Sequence, residues 1–142
     1  MPRLTTLLCL VPVLVAGMLV AEPQQAAGAG TDRVFELRTY FASPGKLDAL
    51  NARFRNHTLA LFKKHGMEVV GFWEPVDKDA GAGEKLVYIL AHSSRAAAEA
   101  SWKAFRADPE WVKVKADSEK GGPVLTKIES VFLAATDYSP LK

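Results

Sequence analysis

The chain has 142 residues, 49% of them hydrophobic and 24% charged, with 18 basic and 16 acidic side chains for a net charge of +2. That length and balance fit one globular domain. The two signs are interspersed without a basic stripe, so a nucleic-acid-binding role has no electrostatic basis.

The amino-terminal stretch differs from everything after it. Arg3 is followed by a nearly continuous apolar run from Leu4 to Ala21, then by EPQQAAGAG, in which Ala27-Gly28-Ala29 has the small-x-small form of a signal peptidase site. The expected reading is a signal peptide over residues 1–29, cleaved after Ala29 (or after Ala21), and a mature domain over 30–142 that is secreted or periplasmic, with no stable membrane association. The competing reading is an uncleaved anchor, because about 18 apolar residues just span a bilayer. Thr5, Thr6, Pro12 and Gly17 weaken such a helix, and a single Arg is too few for a mitochondrial transit peptide. Cys9 is the only cysteine and lies in this leader, preceded by Leu8 rather than the small residue that lipoprotein processing requires. The mature domain is thereby left without thiol catalysis, disulfides or thiolate metal sites.

RVFELRTY (33–40) alternates and carries Val, Phe and Tyr, which predicts a strand. Ser43-Pro44 then reads as an N-cap with Pro at the first helical position, opening a helix from Pro44 to about His65 with apolar Leu47, Leu50, Phe54, Leu61 and Phe62 and Gly66 at its end. EVVGFWEP (68–75) and KLVYILA (85–91) are the second and third strands, joined by the polar, Gly-rich VDKDAGAGE. Ser94 opens a second helix, RAAAEASWKAFRA. Asp108-Pro109 restarts it at a new angle over EWVKVKADSEK, and VLTKIESVFLA (124–134) is the last strand. The order β-α-β-β-α-β predicts an α+β fold, a ferredoxin-like βαββαβ sandwich with both helices on one face of an antiparallel sheet in order 4-1-3-2.

KLVYILA is apolar on both alternating sets: Leu86, Tyr88 and Leu90 on one side, Val87, Ile89 and Ala91 on the other. A strand apolar on both faces is buried on both, and two helices cover only one. A second copy of the same sheet is the expected cover, which predicts a homodimer.

FELRTY, PGKLDALNARFRNHTLALFKKHGMEVVGFWEP, LVYILAH, SWKAFRADPEW, IESVFL and DYSPL together resemble the NIPSNAP family across essentially the whole mature chain. The resemblance implies a dimeric α/β-barrel of ferredoxin-like subunits and no settled reaction. The wider barrel superfamily includes cofactor-free monooxygenases, haem-degrading enzymes and proteins without known activity, so the fold supplies a cavity rather than a reaction.

On the first strand, Phe35 and Leu37 are expected to face the helices, and Glu36, Arg38 and Tyr40 the other face, toward the barrel interior. Lys127 and Glu129 of the last strand are expected beside them. Two acids, two bases and a phenol there suit an acidic or carbonyl ligand, with Arg38 and Tyr40 as the polarising pair; a cross-strand ion ladder that fixes register is the structural alternative. His57 and His65, eight residues apart on one helix and so about 12 Å apart, cannot share a metal. His57 falls on the shoulder of the apolar stripe and is the histidine best placed for an axial bond if haem binds. There is no G-x-S-x-G elbow, and DAGAGEK lacks Walker spacing, so no cofactor is assigned. Trp102 is expected to pack onto the sheet with Phe105, and Trp111 to pack against a loop, the tail or the partner. The binding candidates are therefore Glu36, Arg38, Tyr40, His57, Trp102 and Lys127. The first reading is an exported, dimeric small-molecule-binding protein or enzyme of unestablished chemistry, with its ligand in the barrel cavity. The alternatives are a cofactor-independent monooxygenase or haem-degrading enzyme, and a non-catalytic dimerisation module.

Overall fold

The computed structural model describes residues 33–142. The expected leader, with Cys9 and both cleavage positions, lies outside the described residues. The elements are β1 (Val34–Ala42), α1 (Leu47–Arg53), a π-helical turn (Phe54–Thr58), α2 (Leu59–Lys64), β2 (Glu68–Trp73), β3 (Lys85–His92), α3 (Arg95–Ala107), α4 (Pro109–Ser118) and β4 (Leu125–Leu133). All strand pairs are antiparallel in the order β2-β3-β1-β4, the ferredoxin-like arrangement expected from the element order. Among the described residues no helix is long and apolar enough to cross a membrane.

Local chemistry sets most boundaries. The Ser94 side chain accepts from the Ala97 amide at 3.1 Å and caps α3. The Asp108 side chain accepts from the Glu110 amide at 2.8 Å, with Pro109 at the first position of α4. At the end of α2 the Gly66 amide donates to Lys63 and the Met67 amide to Phe62, a Schellman closure.

Two features depart from the sequence expectation. Ser43-Pro44 does not cap a helix: the Lys46 amide donates to the Ser43 carbonyl at 2.8 Å and Gly45 has φ +68°, so Pro44-Gly45 forms the corner of a type II turn and α1 begins at Leu47. The following helix is also not uniform. At Phe54–Thr58 the Leu59 amide reaches back to the Phe54 carbonyl, and the Thr58 hydroxyl donates to the Arg53 carbonyl at 3.2 Å. The wider turn delays the apolar stripe by roughly the 100° of one residue. Thr58 is carried into the core and His57 is left exposed on the outer surface.

The helices cover β3, β2 and the adjoining side of β1. Their core is aromatic: Tyr88, fully buried, lies within 5.2–6.0 Å (ring centroids) of Tyr40, Phe54, Phe62 and Phe72. Trp102 and Phe105 complete it from α3, as expected. Trp111 does not pack on a loop or the tail: its ring lies 4.5 Å from Phe105, with the Arg53 guanidinium 5.3 Å above it.

The face assignment of β1 is the reverse of the expected one. Glu36, Arg38 and Tyr40 face the helices, in register with Leu90, Tyr88 and Leu86 of β3 and with Phe132, Ser130 and Ile128 of β4. Phe35, Leu37 and Thr39 point to the open face, where their partners are Ala91, Ile89 and Val87 on one side and Leu133, Val131 and Glu129 on the other. Both sets contain residues that can be buried, and the polar set is buried because its charges cancel internally. Lys127 and Glu129 therefore lie on the opposite face from Arg38, as an exposed pair 2.5 Å apart. The open face is apolar and largely uncovered: Trp73, Val131 and Leu133 are 40–52% exposed. Among the described residues the tail crosses it, leaving a cleft of about 260 Å³ between Phe35, Val70, Ile89 and Leu133 below and Leu141 above.

Candidate functional site

Glu36 stands at the centre of a polar cluster between β1, α3 and β4. Its carboxylate is 1% exposed and accepts four hydrogen bonds. Oε1 receives Arg38 Nη1 at 2.5 Å and Ser130 Oγ at 2.6 Å; Oε2 receives Trp102 Nε1 at 2.6 Å and His92 Nε2 at 3.2 Å. Burial alone pushes this carboxyl up. The bonds from His92, Ser130 and Trp102 and the charge of Arg38 outweigh that and hold it at about 2. An ionised carboxylate with every lone-pair direction occupied does not exchange protons near neutrality. Glu36 is an anchor.

What it anchors is Arg38. The guanidinium lies 4.2 Å over the Trp102 ring and 5.4 Å from the Tyr40 ring, and its Nη2 is 3.4 Å from the Tyr40 hydroxyl. Burial works against its charge, but Tyr40, Tyr88 and Glu36 more than offset this, so it stays protonated. Its side chain is still 13% exposed. The opening is toward β4, whose helix-side residues Ile128 and Ser130 are exposed and Phe132 half-buried. Arg95 of α3 lies 4.2 Å over the Phe132 ring. The result is a shelf: β4 as floor, Arg38 and Trp102 as back wall, α3 as lip.

Residues 35–140 match the family described as NIPSNAP. The chain belongs to the NIPSNAP family. Solved NIPSNAP structures share its fold. Among them is an uncharacterized NIPSNAP-like domain protein from Burkholderia xenovorans, 16% identical, with 78% of this chain and 90% of that one covered at a TM-score of 0.67. Another is a NIPSNAP family protein with unknown function, Atu4242 from Agrobacterium tumefaciens, 22% identical over 80% of this chain and 96% of that one at 0.68. SnoaB, a cofactor-independent oxygenase from Streptomyces nogalater, is more distant: 16% identical, 77% and 98% covered, TM-score 0.50. None of the functionally curated proteins matches the chain.

In this NIPSNAP domain the structure brings together four of the six residues singled out from the sequence, Glu36, Arg38, Tyr40 and Trp102. Lys127 is on the other face. His57 lines a different groove, of about 360 Å³, between the π turn and α4. It does not face the sheet, so an axial haem bond from His57 has no support in its position. His65 is bound to Asp108, Nε2 to Oδ2 at 2.8 Å, and joins the end of α2 to the start of α4. Sequence reasoning missed His92, Ser130 and Tyr88. Strand register was the available signal for the last two, since Ser130 and Tyr88 both pair with Arg38.

Proposed function

We propose that this protein is an exported homodimer that binds a small molecule carrying an acidic or carbonyl oxygen on the β4 shelf, where that oxygen meets Arg38 and Tyr40. The observation that carries the reading is Arg38 itself. A guanidinium whose charge is cancelled on one side by a buried, saturated carboxylate, and which stacks on Trp102, remains open beside an uncovered stretch of strand. An ion pair serving stability alone gains nothing from an open side. Preorganised donors in a partly desolvated recess are what recognition of an oxygen requires.

The arrangement favours binding over acid–base chemistry. Glu36 is ionised and fully bonded, so it is not a free proton acceptor, and His92 is tied to it through Nε2. An oxygenase reading rests on likeness of fold alone. Dimerisation is supported by the open face, where a stable pair needs roughly 800 Å² per partner and Trp73, Leu37, Ile89, Val131 and Leu133 supply an apolar centre. Export is supported by the run Leu4–Ala21 and the small-x-small stretch after it.

The test is an amide and indole NMR titration of the full dimeric protein with benzoate and related planar carboxylates and carbonyls. The expected result is saturable shifts at the Trp102 indole N–H and the Ser130 amide. Shifts confined to the open face or to the groove at His57, or none at all, would overturn the shelf as the binding site. Sedimentation at micromolar concentration checks the dimer, and the first residue of protein recovered from the exported fraction, expected near Gly30, checks the leader.

A further inference from the structure

The groove between the π turn and α4, of about 360 Å³, differs in kind from the apolar cleft under the tail. Its lining joins the small side chains of Ala49 and Ala52 to Arg53, His57, Lys113 and Asp117. A π turn has poorer hydrogen-bond geometry than a regular helix and recurs at functional sites. Here it carries Asn56 and His57, both exposed, to the side that faces α4. His65 and His92 are tied to Asp108 and Glu36, whereas among the described residues His57 meets no carboxylate.

The acids beside this groove are outnumbered. Asp117 is shared by two ammonium groups, Lys113 at 2.5 Å and Lys120 at 2.8 Å. Glu119 is likewise shared, by Lys115 at 2.5 Å and Arg53 at 3.2 Å. Four cations in this network face two carboxylates, a surplus of two positive charges. One of the four is buried: the Arg53 side chain is 3% exposed, its Nη1 donates to Ser118 and Glu119, and its Nε has no partner. The field of a buried guanidinium passes through protein rather than water, so salt screens it little. Arg53 therefore acts on the groove as a fixed charge from beneath, while the groups within reach of a ligand are the exposed ones.

We propose that this groove is a second binding site, separate from the β4 shelf, for the dianionic head of a small phosphate monoester whose organic part lies on Ala49, Ala52 and Val114. The charge selects the ligand. A dianion matches a surplus of two, whereas a carboxylate or sulfonate leaves one positive charge unanswered. The donors suit the same group: Lys113 offers an ammonium, Asn56 an amide NH₂, and His57 at least one ring N–H in either protonation state. Asp117 also lines the groove, but Lys113 takes up its Oδ2 and Lys120 its Oδ1. Ser118 is not a free donor, because its hydroxyl donates to the Lys115 carbonyl at 2.9 Å.

The experiment titrates the purified protein with phenyl phosphate at about pH 8, where the phosphate is dianionic, and with benzenesulfonate, a monoanion of similar shape. NMR of the His57 ring is the readout. Phenyl phosphate is expected to shift the His57 ring resonances saturably and to bind about five-fold or more tightly than benzenesulfonate. Lys113→Gln is expected to weaken phenyl phosphate by about five-fold with little change in Tm, since an exposed ion pair contributes little to the fold. Asp117→Asn is expected to act in the other direction and tighten the probe several-fold, because it removes a negative charge from the groove wall. A carboxylate with only a structural role would not produce that gain. No saturable shift at His57, equal binding of the two anions, or an Asp117→Asn variant that binds no better would each overturn the proposal. Shifts at the Trp102 indole and the Ser130 amide instead would send the phosphate to the shelf, which overturns this site and leaves the shelf standing.

Discussion

The two faces of the sheet invert the usual rule for where polar and apolar groups belong. The helix side buries a carboxylate, a guanidinium and an imidazole, while the open side exposes Trp73, Val131 and Leu133. Each inversion needs its own physical reason. On the helix side the charges cancel within one cluster, so burial is tolerated and the donors become rigid. On the open side, among the described residues, the tail covers only part of the apolar surface, and an apolar patch left open in this way suits contact with a second molecule. The same kind of change, a charge added or removed, should therefore do different things on the two faces.

The largest effect is expected at Glu36. Glu36→Leu strands Arg38 without a counter-ion and takes one bond from each of Ser130, Trp102 and His92. The loss should be about 3–5 kcal/mol of unfolding free energy, read from urea denaturation. Glu36→Leu combined with Arg38→Met should recover a good part of it, because the pair is then removed whole. A double variant as unstable as the single one would mean that hydrogen bonds, rather than the unpaired charge, dominate.

Acid tests the same cluster without mutation. The folded Glu36 carboxyl sits at about 2 against an ordinary value of 4.5. A depressed carboxyl contributes stability that is fully present above the unfolded value and is lost as pH falls from about 4.5 toward 2. The shift corresponds to about 3 kcal/mol. Asp117 is also held down at about 2, by the exposed Lys113 and Lys120. Salt screens that exposed group and leaves the buried one almost untouched. The Glu36 part of the acid loss should therefore persist in 0.5 M salt and disappear in Glu36→Gln, leaving the part due to Asp108, whose carboxyl Lys64, the Glu110 amide and His65 also hold well below the ordinary range.

How much of this was legible depended on how far each residue's partners lie along the chain. Ser94 and Asp108-Pro109 act on amides two or three residues away, and both caps stand as read. Pro44-Gly45 serves equally as a helix start or a type II corner. What decides between them is distant: the Ser43 amide is held by the Val124 carbonyl at 2.9 Å. The faces of β1 were hidden for the same reason. Phe35 and Leu37 look like the inward set until Glu36 is seen to be met by His92, Trp102 and Ser130, 56, 66 and 94 residues away. The π turn has no local signature, and it moved His57 out of the candidate site. Element order survived because it depends on periodicity alone.

On the open face a buried charge is expected to separate subunits without unfolding them. Val131→Glu places a carboxylate at a position 52% exposed in the single chain. Chain stability should change by less than about 0.5 kcal/mol. Association should weaken by about 2 kcal/mol or more, roughly thirty-fold, through the unpaired charge in the interface. Sedimentation equilibrium separates the two quantities. A variant that stays dimeric would mean that the subunits do not meet through this face.

The smallest expected effect is the most local. Gly71 lies beside the bulge in β2, and a Cβ there would meet the Trp73 ring at 2.7 Å. Gly71→Ala must therefore swing the indole away from its seat over the backbone. Trp73 is half exposed and packs against little else, so the folded chain should lose under about 1 kcal/mol. The indole itself should report the change. Trp102 is buried and Trp111 half-buried, so an accessible quencher such as acrylamide acts mainly on Trp73 in the monomer. If the open face is the interface, dimerisation shields Trp73 and quenching falls with protein concentration in the wild type. The displaced ring of Gly71→Ala fits that interface poorly, so the protection should set in only at several-fold higher concentration. Equal protection in both proteins would place Trp73 outside the contact and move the apolar centre of the dimer toward Val131 and Leu133.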